Sequence, residues 1–316
     1  VHTVSAGYVT ASVFVLGISA WYVLKNRHLG LAKRSMAVAA SFGLLSALSV
    51  VVLGDESGYA LTDNQKMKLA SLEAMWETEP APAGLTLIGI PNQKEHRTDY
   101  AIHVGIRAYT AVEALNDNPN DVEAREIFEQ TKQDLGYAML LKRYVDDPAT
   151  ADRATIEKAA MDTVPNVAMS FFSFRIMAGV GFLFIAMFAV AFYFVSLKRK
   201  VPRWFLYLAF FSIPLPWIAA ELGWILAETG RQPWVIDGVL PTFMGVSSLS
   251  ATQVIMTMVG FTLLYGTLAV IEITLMIRAV KLGPGARILP KGMSGGGPDT
   301  HNEPVPARPR TIQFDK

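Results

Sequence analysis

The chain has 316 residues, of which 52% are hydrophobic and 17% are charged, and its mean hydropathy is +0.32. This composition is too apolar for an ordinary soluble domain and indicates a membrane protein. The net charge of +1 argues against a nucleic-acid-binding protein. Because cysteine is absent, disulfides, thiolate zinc sites and thiolate-bound haem are excluded. His, Met and Glu remain as plausible metal ligands.

Five apolar stretches are long enough to cross the roughly 30 Å hydrocarbon core of a bilayer. The predicted spans are residues 4–24, 36–53, 176–197, 204–227 and 253–277. The sequence therefore predicts an all-α integral membrane protein with five transmembrane helices and a large, mainly helical extracytoplasmic loop. The predicted divisions are two spans in 1–53, the loop in 54–173, three spans in 174–282 and a disordered cytoplasmic tail in 283–316.

Inside the loop the hydrophobic pattern changes to that of amphipathic helices. Helices are predicted over residues 65–77, 100–115, 122–144 and 155–162. Thr62 or Asp63 is the expected N-cap of the first of these helices.

Lys and Arg are concentrated in three short connections, which the positive-inside rule places on the cytoplasmic side. These residues are Lys25, Arg27, Lys33, Arg34, Lys198, Arg199, Lys200, Arg203, Arg278 and Lys281. The N-terminus, the large loop and the connection over residues 228–251 are then expected to lie outside.

This orientation brings polar residues of three helices to the same outer depth of the membrane. His2 begins the first span, Arg175 and Met177 begin the third, and Glu228 and Arg231 end the fourth. His and Met together form an axial pair for a low-spin haem, a carboxylate can ligate a second iron, and arginines can neutralise haem propionates. The residues also allow a plainer interpretation, with a solvated histidine, a packing methionine and arginines that snorkel to the interface.

Three glutamates offer an alternative, ion-conducting interpretation. Glu221 and Glu228 are seven residues apart, as are Trp217 and Trp224, so each pair lies on one helix face. Glu272 lies near the middle of the last span. Intramembrane acids serve proton or ion paths, or lie buried as neutral hydrogen-bonding groups.

Four segments together resemble subunit I of the cytochrome bd-type quinol oxidases. They are VHTVSAGYVTASVFVLGISAWYVL (1–24), GDESGYALTDNQKMKLASLEAMWETEPAPAGLTLIGIP (54–91), FSFRIM (172–177) and GWILAETGRQPW (223–234). The segments occur in the family's order, and the GRQPW block is specific.

The resemblance implies a set of haem-binding residues. It implies that His2 and Met177 hold a low-spin haem b, with Arg175 near it, and that Glu228 ligates a high-spin haem b. A haem d or a third haem b would complete the oxygen site. Two further motif positions match residues beside the haems, Arg231 and Trp224.

The resemblance also implies quinol oxidation by Lys68 and Glu73 of the loop. These residues are five apart, about 140° around a helix, so a simple salt bridge between them is not expected. Electrons would pass through haem b to dioxygen, and outer proton release with inner proton uptake would create a proton motive force without pumping. The implied partners are oxidase subunit II, with or without small single-helix subunits, and the lipid of the bacterial inner membrane.

One departure from the family pattern concerns the N-terminal side. Family members have four more helices before the one that begins here, and those helices carry an oxygen-site histidine. The chain is therefore expected to be a C-terminal fragment that is inactive on its own. The competing hypotheses are an ion transporter that uses Glu221, Glu228 and Glu272, and a haem-free membrane scaffold.

Overall fold

The computed structural model describes residues 1–75 and 99–284. In these ranges the chain forms eleven α-helices, two short 3-10 turns and one antiparallel pair of strands. The helices are α1 (His2–Leu24), α2 (Leu29–Asn64), α3 (Lys66–Glu73), α4 (Asp99–Asp117), α5 (Val122–Thr131), α6 (Leu135–Leu141), α7 (Arg153–Asp162), α8 (Val167–Ser196), α9 (Arg203–Phe211), α10 (Leu215–Thr229) and α11 (Ala251–Leu282). The 3-10 turns are Lys132–Asp134 and Pro148–Thr150, and the strands are β1 (Trp234–Ile236) and β2 (Leu240–Pro241).

The predicted fold class is confirmed. Four helical stretches are long and apolar enough to cross a membrane, and α9 with α10 makes a fifth if the bent pair crosses as one span. The four stretches are His2–Leu24, Leu29–Asn64, Arg153–Ser196, which joins α7 to α8, and Ala251–Leu282.

Two membrane helices are longer than their hydropathy predicts. Helix α2 continues to Asn64, and α8 begins at Val167, where the Asn166 side chain accepts a hydrogen bond from the Met169 amide. Hydropathy detects only the part of a helix that is apolar, whereas backbone hydrogen bonds continue into polar turns.

Two local predictions are wrong in detail, and one predicted span is bent. The predicted span 204–227 is two helices bent by 41°, because proline at the break has no backbone N–H to donate. The predicted helix 122–144 is divided by a 3-10 turn. The expected cap by Thr62 or Asp63 is not made, because α2 runs through both residues and α3 begins after Gln65 without a side-chain cap.

Helices α1, α2, α8 and α9 share a buried apolar core. Small residues let these helices approach closely, as expected of helix pairs in a membrane. A Cβ atom on Gly17 would lie 2.5 Å from Ile213, and one on Gly43 would lie 2.5 Å from the Phe188 ring. The core therefore depends on the absence of a side chain at both positions.

A second apolar cluster lies in the lobe formed by α4, α5, α6 and α7. Trp234 of strand β1 belongs to this cluster, although it comes after the membrane helix α10. The strand pair was not predicted, because two strands of three and two residues give no detectable alternation. The hairpin thus attaches the chain after α10 to the lobe.

The chain divides into two compact units, residues 1–257 and 258–316. The described part of the second unit consists mainly of the remaining turns of α11. The last two residues of the predicted helix 65–77, and the predicted tail from 285 onward, lie outside the described residues.

Candidate functional site

Helix α3 is held against α8 by a partly buried ion pair. Arg175 Nη2 lies 2.7 Å from Glu73 Oε2, and Arg175 Nη1 donates a hydrogen bond to the Leu72 carbonyl at 3.0 Å. The Arg175 and Glu73 side chains are only 15% and 16% exposed. One arginine therefore binds both the carboxylate and the backbone at the C-terminal end of α3.

Aromatic rings fix the same arginine from the other side. The Arg175 guanidinium carbon lies 4.5 Å from the ring centre of Phe171 and 5.1 Å from that of Phe174. Cation–π contacts are stronger where water is excluded, and Phe171 is 1% exposed. The guanidinium that binds α3 is thus also positioned by two rings of its own helix, α8.

The opposite side of α3 contacts the C-terminal end of α10. Lys68 Nζ donates to the Ala227 carbonyl at 3.4 Å, and a Cβ atom on Gly230 would lie 2.9 Å from Lys68 Cγ. Burial lowers the pKa of Lys68, the Arg231 guanidinium lowers it further, and the Glu228 carboxylate raises it. Lys68 and Glu73 therefore face different helices, as their spacing around α3 predicts.

This environment predicts a pH dependence of α3 docking. Because docking lowers the Lys68 pKa below its ordinary 10.5, the undocked helix binds more protons between the two values. Docking should therefore become more stable as pH rises through that window, and Lys68→Met should remove the slope. Amide hydrogen exchange of α3, corrected for intrinsic rates between neutral pH and about pH 10, measures this.

Lys66→Met is the matched control, since Lys66 lies on the same helix and is exposed. It should leave the slope unchanged. A slope that persists in Lys68→Met would show that another group titrates.

The two residues expected to hold the low-spin haem contact different helices: His2 of α1 contacts α2, and Met177 of α8 contacts α10. A Cβ atom on Gly54 of α2 would lie 3.2 Å from His2 Cε1, and one on Gly223 of α10 would lie 3.0 Å from Met177 Sδ. His2 Nδ1 is buried and makes no hydrogen bond within the described part of the chain. A buried imidazole nitrogen without a partner is costly, which fits a bound group beside this ring.

The residues expected near the second haem lie at the end of α10. Glu228 Oε2 and Arg231 Nη2 form an ion pair one turn apart, at intermediate exposure. Arg231 Nε is buried and has no hydrogen-bond partner among the residues described, which fits an additional anionic group. Trp224 is 62% exposed, and Glu221 is also exposed.

Several of the predicted residues thus form one connected region, with haem roles that stay predictions. Direct contacts join α3 to Arg175 and to the end of α10, where Glu228 and Arg231 lie. His2 contacts α2 at Gly54, twelve residues before α3 begins. Among residues 1–75 and 99–284, no group of three or more His, Asp or Glu side chains could hold a metal ion.

Sequence reasoning missed the contacts that fix these side chains. The Leu72 carbonyl, the two phenylalanine rings and the glycines opposite His2, Met177 and Lys68 were not singled out. The glycines offered a signal, because Gly54, Gly223 and Gly230 lie within the same motifs as the site residues.

Residues 1–284 match a family model described as "Cytochrome bd terminal oxidase subunit I". The chain is 35% identical over 320 residues to cytochrome bd-II ubiquinol oxidase subunit 1 of Escherichia coli (strain K12), covering 90% of this chain and 62% of that protein. It is 26% identical to cytochrome bd ubiquinol oxidase subunit 1 of Bacillus subtilis (strain 168), covering 89% of this chain and 56% of that protein.

A solved structure shares the fold. The bd oxidase structure from Geobacillus thermodenitrificans superimposes with a TM-score of 0.61 at 24% identity, covering 90% of this chain and 57% of that one. The chain therefore spans less than two thirds of the length of each of these relatives. The family model covers most of the chain, and the chain belongs to the cytochrome bd terminal oxidase subunit I family.

Proposed function

We propose that this chain forms the quinol-oxidising and haem-holding part of subunit I of a bd-type terminal oxidase. The observation that carries the proposal is that α3 packs on α8 and reaches the end of α10 through the Lys68 side chain. Arg175, which binds Glu73, lies two residues before Met177. Ala227, whose carbonyl accepts a hydrogen bond from Lys68, directly precedes Glu228. The helix that would meet quinol is thereby in contact with both segments that would hold haem.

Quinol oxidation releases two protons and two electrons, and α3 offers groups suited to the protons. Glu73 Oε2 is bound by Arg175, so Oε1 is the oxygen we assign as the acceptor of a quinol hydroxyl proton. Lys68 would donate a hydrogen bond to a quinone oxygen. Burial beside α10 lowers the pKa of Lys68, because loss of water disfavours the charged amine.

The haem-binding assignments follow the family motifs and the geometry of the site. His2 and Met177 would hold low-spin haem b, and Glu228 would hold high-spin haem b, with a haem d or a third haem b completing the oxygen site. Arg175 and Arg231 would neutralise propionates, and Trp224 would flank a haem. Bound there, haem would supply the acceptor for quinol electrons and carry them to dioxygen.

The same proposal places the chain in a bacterial inner membrane with α3 and the lobe on the outer side. Subunit II, with or without small single-helix subunits, would complete the oxidase. Proton release outside and uptake for water formation inside would build a proton motive force without pumping. The Lys and Arg residues of the short connections support this orientation.

The test is a dithionite-reduced minus oxidised visible spectrum of the assembled oxidase that contains this chain. Met177→Ala and His2→Ala should each abolish the low-spin haem b signal at equal amounts of complex, because each removes one axial ligand. Met169→Ala is the control, since Met169 lies on the same helix and is 45% exposed. An unchanged signal in both ligand variants would reject His2 and Met177 as the ligands. The absence of any haem signal in the assembled wild type would favour the haem-free scaffold.

A further inference from the structure

The hairpin after α10 is anchored in the lobe by one tryptophan. Trp234 is 3% exposed, and its ring meets the ring of Tyr137 of α6 edge to face at 5.0 Å between centres. It packs in a cluster with apolar residues of α4, α6 and α7. Trp234 is therefore a core residue of the lobe, although helices α8, α9 and α10 lie between the lobe and Trp234 in the sequence.

The hairpin and α6 are in direct backbone-to-backbone contact. A Cβ atom on Gly136 would lie 2.2 Å from the Gly238 carbonyl oxygen, so α6 and the hairpin turn meet without an intervening side chain. Gly238 itself has φ +66°, a conformation that glycine adopts without strain. The hairpin has little room to slide along α6.

Hydrogen bonds extend this anchor to the end of α10. The Trp234 amide donates to the Arg231 carbonyl at 3.0 Å, and the Thr242 amide and hydroxyl both donate to the Pro233 carbonyl, at 2.8 and 2.9 Å. Arg231 in turn forms the ion pair with Glu228. Only two residues, Gln232 and Pro233, therefore separate the buried Trp234 from Arg231, whose direction depends on its backbone.

We propose that Trp234 is a positioning residue for the Glu228–Arg231 pair. Packing of Trp234 in the lobe fixes the backbone before it and thereby sets the direction of the Arg231 side chain and of the Glu228 carboxylate that Arg231 binds. This inference rests on the proposed function, in which Glu228 holds the high-spin haem. The lobe thus orients a proposed ligand that lies on a different helix. Without the anchor, the last turn of α10 would fray, since the final carbonyls of a helix have no intrahelical partner.

The experiment compares high-spin and low-spin haem signals per assembled complex in Trp234→Ala, Trp234→Phe and Glu228→Ala. In Trp234→Ala the high-spin to low-spin ratio should fall by about 10-fold, the lower end of losses when a residue that orients a metal ligand is removed. Trp234→Phe should restore most of the ratio, because a ring again fills the pocket against Tyr137. Ile236→Ala is the matched control on the same strand, since Ile236 is 55% exposed, and it should match the wild type.

Each other outcome is decisive. A parallel loss of both haem signals in Trp234→Ala would show a general structural role and overturn the inference, as would an unchanged ratio. If Trp234→Ala does not assemble, Tyr137→Leu replaces it, and an unchanged ratio there overturns the inference. If Glu228→Ala keeps its high-spin signal, the proposed function fails and the inference with it, whereas a loss in Glu228→Ala alone rejects the role of Trp234.

Discussion

Arg175→Met should destabilise the docking of α3 on α8 by up to about 3 kcal/mol, the lower end for a buried pair, because it leaves a mostly shielded carboxylate without its partner. Glu73 is 16% exposed and pairs with Arg175 at 2.7 Å. The variant also removes the hydrogen bond to the Leu72 carbonyl. Helix α3 should therefore exchange its amide protons much faster than in the wild type, while the bundle core stays protected.

A double-mutant cycle separates the pair from its surroundings. Arg175→Met with Glu73→Met should cost less than Arg175→Met, because no unpaired charge then remains buried. Arg143→Met is the control, since Arg143 pairs with Asp162 at 3.4 Å while 57% exposed, and a pair of that kind contributes at most about 1 kcal/mol. Equal costs for Arg175→Met and Arg143→Met would contradict a buried clamp.

Gly43→Val should destabilise the membrane bundle by at least about 1–3 kcal/mol, the usual cost of overpacking a core. A Cβ atom at this position would already lie 2.5 Å from the Phe188 ring, and Phe188 is 0% exposed, so the ring has no open space into which to move. Thermal unfolding of the purified complex in detergent, followed by circular dichroism, measures the effect.

Two further variants decide the cause. Gly43→Val combined with Phe188→Leu should recover part of the loss, because the smaller side chain leaves room for the added methyl groups. Gly58→Ala lies on the same helix with nothing within 4 Å of the added Cβ, and it should stabilise rather than destabilise. Destabilisation of similar size in Gly58→Ala would attribute the effect to the helix backbone instead of the core.

The membrane class, the five apolar spans and the family were predictable because each depends on local composition or on contiguous motifs. A span is detected from the mean polarity of about 19 consecutive residues, and GWILAETGRQPW is one unbroken segment. The exact helix ends were not predictable, since Asn166 begins α8 through a cap that hydropathy does not detect. The same holds for the bend before α10, where the prolines were visible but the 41° angle was not.

The sequence by itself determined which residue types are available to the site, and it put Lys68 and Glu73 on different faces of one helix through the 3.6-residue period. Only the tertiary structure decided their partners. Glu73 meets Arg175 across 102 positions and Lys68 meets Ala227 across 159, and no local pattern records such pairings. They form because a charge leaving water needs a partner at short range. Packing of α3 on α8 supplies the partner of Glu73, and the Lys68 side chain finds its partner by reaching the end of α10.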